Sequence, residues 1–134
     1  MPKAVIFDLD GTLIDSTDAI IGSMFHIFDT LGDPRPTRQA IIDSIGCPLR
    51  EQLQYLTKRD VDECIALYRP HYTATARDKT FLLDGARELL AWLRAQGLPI
   101  GLATSKKREA AEMLLEHLGV LDHFDVRDRK STRL

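Results

Sequence analysis

Residues Ala4–Asp15 read AVIFDLDGTLID. The apolar run Ala4-Val5-Ile6-Phe7 gives way to two carboxylates, Asp8 and Asp10, spaced i and i+2. Val, Ile and Phe favour strand, and an uninterrupted run predicts a strand buried on both faces. Gly11 permits the tight turn that must follow. In open α/β sheets, ligands bind at the carboxyl ends of strands. An apolar strand needs no acids at its tip, so the pair asks for an explanation. Three compete. The charges could simply be solvated in a loop. They could open a calcium loop, although Thr12 stands where that pattern needs a third acid or amide. They could serve phosphoryl transfer, with a carboxylate as nucleophile and magnesium as its ion.

Outward from this stretch, the periodicity changes. Ile20, Ile21, Met24, Phe25, Phe28 and Leu31 lie on one face of a helix over residues 16–31. Asp15 or Ser16 can cap its start, and Gly32, Pro34 and Pro36 end it. Thr37 is placed to cap a helix over 38–45, and Pro48 suits the first turn of one reaching Leu56. Asp60 with Glu63 resembles a capping box ahead of Val61, Ile65 and Tyr68. Residues 16–80 therefore read as an all-helical insert. Alternation then resumes: a helix over 84–96, a strand over 99–104, a helix over 106–118 and a third strand opening at Phe124. Strands alternating with helices indicate a parallel α/β sheet.

The octapeptide DLDGTLID (Asp8–Asp15) resembles the first motif of the haloacid dehalogenase-like hydrolase superfamily. PIGLATSK (Pro99–Lys106) is similar to its second motif, an apolar strand ending in Thr or Ser. DGARELLAWLRAQG before it, LLEHLGVLDHFD after it, and SIGCPLREQL at 44–53 resemble the phosphoglycolate phosphatase and β-phosphoglucomutase group. The likeness runs over residues 3–126. It implies a partial Rossmann-like core made of residues 1–15 and 81–126, with 16–80 as a helical cap that closes over the site. It implies an aspartyl-phosphate on Asp8, with Asp10 as general acid and then general base. Magnesium would be held by the Asp8 carboxylate and the Asp10 backbone carbonyl. Gly11, Thr104 and Ser105 would meet the phosphoryl oxygens, and Arg50 of the cap would face substrate. Lys106 or Lys107 could touch substrate or simply open a solvated helix. A general acid suits an alkoxide leaving group and not a halide, which favours a phosphatase of small phosphorylated metabolites over a dehalogenase. A sugar phosphomutase and a non-catalytic binding module are the alternatives.

Two further motifs of the superfamily, a lysine usually before proline and an acidic pair after Gly-Asp, find no match. Lys130 is followed by Ser131, and no glycine follows Gly119. The sequence thus reads as truncated at its C-terminal side and impaired in turnover. The first strand would then present an open apolar edge, which favours a homodimer. At 134 residues and 44% hydrophobic, with a net charge of −2, the composition is that of an ordinary globular chain. No apolar run is long enough for a membrane span or a secretory signal, so the expected compartment is the cytoplasm. Arg127, Arg129, Lys130 and Arg133 stand against Asp128 in an atypical basic tail, 127–134. Without interleaved aromatics that tail predicts no nucleic-acid partner. Cys47 and Cys64 match no metal-ligand spacing and read as partly buried thiols. His26, His71, His117 and His123 show no evident partners and read as surface or interfacial side chains.

Overall fold

The computed structural model describes residues 3–129. The chain divides into two compact units, residues 1–15 with 81–134, and residues 16–80.

The first unit is an α/β structure. Strand β1 (Val5–Phe7) pairs in parallel with β4 (Ile100–Thr104), which pairs in parallel with β5 (Val126–Arg129). The order is β1-β4-β5, with Phe7 opposite Leu102 and Gly101 opposite Val126. Helices α5 (Ala86–Ala95) and α6 (Arg108–His117) make the connections around β4. Leu90 and Leu93 of α5 and Ala111, Leu114 and Leu115 of α6 are buried. Asp125 fastens the start of β4. Its carboxylate accepts from the Ile100 N–H (2.8 Å) and from the Arg94 guanidinium (2.9 Å), while its own N–H donates to the Ile100 carbonyl.

Burial corrects one expectation. The central strand of the three is β4, and Ile100 and Leu102 are buried there. β1 lies at an edge, and Ile6 is 50% exposed, so β1 is not buried on both faces. Its continuous apolar run gave the same signal that a central strand gives. A second, two-stranded antiparallel ribbon was also not foreseen: β2 (Ile14–Asp15) pairs with β3 (Phe81–Leu82), Ile14 opposite Leu82 and Asp15 opposite Phe81. Strand β5 runs on through Arg129, into the basic segment; residues 130–134, Lys130 among them, lie outside the described residues.

The second unit is helical: α1 (Thr17–Leu31), α2 (Arg38–Ser44), α3 (Leu49–Leu56) and α4 (Val61–Thr75), then a 3-10 turn at Arg77–Lys79. The caps follow the residue types. The Thr37 hydroxyl accepts from the Ala40 N–H and the Asp60 carboxylate from the Glu63 N–H, so each satisfies one donor that its helix leaves open. Helix α1 buries Ile20, Ile21, Met24, Ile27 and Phe28, and ends at Gly32, whose φ of +72° suits a residue without Cβ. α1 packs mainly on α4. The two cysteines are free and differ: Cys64 is buried and Cys47 is exposed. Among the described residues no helix is long and apolar enough to cross a membrane.

Candidate active site

The site is built where β1 and β4 end side by side. Beyond Phe7, Leu9 is fully buried between the two acids, while Asp8 is exposed. The chain then turns back on itself. The Leu9 carbonyl accepts from the N–H groups of Thr12 (3.1 Å), Leu13 (3.0 Å) and Ile14 (3.3 Å), and Gly11 N–H donates to the Ile14 carbonyl (2.9 Å). Gly11 has φ +81°, left-handed backbone that a side chain would strain. This explains a glycine directly after the second acid.

The two acids sit in different surroundings. Asp8 is exposed, and its Oδ1 accepts from the Leu9 N–H at 2.8 Å, which orients the carboxylate. The Asp10 side chain is only 12% exposed and pairs with Lys106, whose Nζ lies 3.5 Å from Asp10 Oδ2. The Lys106 side chain is 9% exposed. Few lysines are buried so far without a charged partner, and Asp10 is that partner here. Lys106 is therefore not the solvated start of a helix. Lys107 is half-exposed, at 3.9 Å from Glu109.

Thr104, the last residue of β4, is buried, and its hydroxyl accepts from the Lys106 N–H at 3.1 Å. That bond folds the Thr104–Lys106 loop tightly before α6 and aims Lys106 back toward the β1 tip. Asp8, Asp10, Gly11, Thr104, Ser105 and Lys106 all belong to this end of the first unit. Arg50 does not. It lies on α3 in the helical unit, where its guanidinium meets the Asp62 carboxylate at 2.6 Å with both side chains exposed. Of the four histidines, His117 is exposed and His123 is half-buried, with Nδ1 3.3 Å from the Val120 carbonyl. His26 and His71 do have partners: their rings stack, and His71 bonds Ser23. Sequence spacing could not reveal this, because the two residues come from helices far apart in the chain.

A hard divalent cation such as magnesium takes oxygen ligands, keeps several waters and needs only one or two carboxylates. An Asp8 carboxylate and an Asp10 carbonyl two residues apart would offer oxygen donors of the kind that ion takes. Among the described residues no group of three or more His, Cys, Asp or Glu side chains gathers to hold a metal.

The haloacid dehalogenase-like hydrolase profile matches residues 5–128. The tyrosine-protein kinase PtkA of Mycobacterium tuberculosis is 38% identical over 126 residues, covering 93% of this chain and 43% of that protein. The pyrophosphatase PpaX of Halalkalibacterium halodurans is 36% identical over 124 residues, covering 92% and 58%. A haloacid dehalogenase-like hydrolase from Streptococcus pneumoniae superposes with a TM-score of 0.86 at 30% identity, covering 96% of this chain and 61% of that one. The solved structure of PtkA gives 0.82 at 38%, covering 99% and 62%. The chain thus spans about half the length of the curated relatives it matches. The profile match over residues 5–128, nearly the whole described chain, places this protein in the haloacid dehalogenase-like hydrolase family.

Proposed function

We propose that the chain carries the chemistry of a magnesium-dependent phosphatase acting on small phosphorylated metabolites through an aspartyl-phosphate on Asp8. The observation that carries this reading is the Asp8-Leu9-Asp10 tip of β1 lying beside the Thr104 tip of its parallel neighbour β4, with Lys106 folded back onto Asp10. In this reading an Asp8 oxygen attacks phosphorus, and the ester P–O bond breaks as the new one forms. The Leu9 N–H holds the carboxylate in orientation. Asp10, once it has taken up a proton from solvent as the dianionic substrate binds, gives that proton to the departing alkoxide and then takes one from the attacking water. The Lys106 ammonium offsets negative charge where two carboxylates and a phosphoryl group must come together. Gly11, Thr104 and Ser105 would receive the phosphoryl oxygens, and Arg50 would release Asp62 to meet an anionic substrate. Magnesium, when bound by the Asp8 carboxylate and the Asp10 carbonyl, supplies charge neutralisation for the phosphoryl group. With those two as its protein ligands the ion would be held largely through water, so slow turnover is part of the proposal.

The test is acid-quenched labelling with a 32P-phosphate monoester and Mg²⁺. The expected result is a hydroxylamine-labile label on the protein that Asp8→Asn abolishes. Absence of Asp8-dependent label and of Asp8-dependent phosphate release overturns the proposal. Brisk hydrolysis dependent on Asp8 overturns only the slow turnover. The name of the mycobacterial relative, a tyrosine-protein kinase, supports one second reading: phosphoryl transfer at the same carboxylates to an acceptor other than water, as a mutase would also require. Product analysis with sugar phosphates separates transfer from hydrolysis.

A further inference from the structure

Helix α1 and helix α4 meet in a polar seam that the proposed chemistry does not use. The His26 and His71 rings stack, with centroids 4.4 Å apart and planes 19° apart. The Ser23 hydroxyl, fully buried, lies 2.8 Å from His71 Nδ1. Thr75, one turn beyond His71, donates its hydroxyl to the His71 carbonyl at 2.8 Å. From the 3-10 turn, Lys79 lays its ammonium over α1 at Gly22: a Cβ at that position would come within 3.3 Å of Nζ. Gly22 costs the helix interior some stability, and the room it leaves is filled by the charge.

Three basic side chains from three elements therefore converge, with two hydroxyls beside them. Among the described residues no carboxylate forms an ion pair with His26, His71 or Lys79. Asp29, three residues beyond His26 on α1, feels the His26 charge but is engaged by two nitrogens of the Arg35 fork. Folded chains seldom gather like charges without a counter-ion, because each raises the cost of the next. Two imidazoles stacked this closely cannot both become cations cheaply unless an anion joins them. The groups that face His71 act accordingly. Burial first, and then His26 on α1 and Lys79 on the 3-10 turn, hold its pKa below the usual imidazole range. Ring N–H and ammonium donors with a nearby hydroxyl make the donor set that an oxyanion accepts from.

We propose that His26, His71 and Lys79 of the helical unit form a binding site for a small dianionic oxyanion, of the sulfate or phosphate class, that takes up a proton onto the histidine pair as it binds. The inference does not rest on the proposed phosphatase chemistry. Every group in it belongs to residues 16–80.

The test uses the full chain in EDTA, so that no divalent cation draws the anion to the other site. Sodium sulfate is the probe, because it stays dianionic from pH 5.5 to 7.5, and sodium chloride at equal ionic strength is the control. Imidazole signals of His26 and His71 are followed by NMR. Saturable shifts are expected with sulfate and not with chloride, with affinity at least about fivefold higher at pH 5.5 than at 7.5. Lys79→Gln should weaken sulfate about fivefold or more, and Lys79→Arg should restore it. Shifts that chloride reproduces, that Lys79→Gln leaves unchanged, or that do not strengthen on acidification overturn the site. Gly22→Ala separates the site from general stability. It should raise the thermal midpoint, as an alanine in a helix interior does, while weakening sulfate, and unweakened binding in that variant counts against the placement of Lys79.

Discussion

Replacing Lys106 by Met keeps the length of a buried stem and removes its charge. The ammonium lies 3.5 Å from Asp10 Oδ2, with the two side chains 9% and 12% exposed. At an effective dielectric constant of 20, two unit charges at that distance attract by about 5 kcal/mol before desolvation is counted. Taking both groups out of water offsets most of this, so the pair as a whole contributes little net stability. Breaking it is another matter, because Asp10 is then left nearly buried without its cation. The expected loss for Lys106→Met is about 3 kcal/mol, and Asp10→Asn in the same background should recover much of it. A double-mutant cycle by urea unfolding reads this directly. Coupling of about 1–3 kcal/mol between positions 10 and 106, with the slope on urea unchanged, is expected. Coupling within about 0.3 kcal/mol of zero would refute the view that Lys106 is held by Asp10, since additivity within that range is what independent sites show.

Acidification gives a second expectation. The fold holds His71 below the ordinary imidazole value, so its neutral form is favoured in the native state. That contribution is complete above the unfolded pKa of about 6.5 and is lost as pH falls through it toward the lower folded value. The thermal midpoint of the wild-type chain in a chloride buffer should therefore fall between pH 7.5 and 5.5, and His71→Gln should flatten the dependence. Asp125→Ala removes the acceptor of the Ile100 N–H and of Arg94, and should cost about 2 kcal/mol in a urea titration. Gly11→Ala puts a side chain at φ +81° and should cost about 1–2 kcal/mol on the same measure.

Legibility from sequence followed the range of the interactions. Local signals were readable: Thr37 and Asp60 cap the helices that their types suggest, and Gly32 ends α1. The parallel α/β core was legible for a similar reason, since apolar runs alternating with helical periods leave few other arrangements. The edge position of the first strand was expected and is found in the order β1-β4-β5. Its burial on both faces was misjudged, because Ala4–Phe7 is as apolar as a central strand while Ile6 faces solvent. At the site, Asp8 and Asp10 announced themselves by carrying charge at the end of an apolar strand. Lys106 did not, because a lysine after a strand is usually solvated and its burial depends on a carboxylate distant in sequence. The His26–His71 stack is hidden for the same reason.

The short ribbon β2–β3 has a consequence for how the chain can be ordered. Its two strands flank the segment 16–80, so the pairs Ile14–Leu82 and Asp15–Phe81 close that whole segment as one loop. Closing so long a flexible loop costs about 3 kcal/mol more than closing a two-residue turn. Two residue pairs offer little to set against that. The ribbon is therefore zipped from the far side: the four helices, by folding, deliver its ends to each other. Its backbone amides should exchange with solvent as a report on the order of the helices, and it should unzip when they melt. Joining Asp15 to Phe81 through Asn-Gly would replace that long closure by a hairpin turn and free the ribbon from its dependence on everything between.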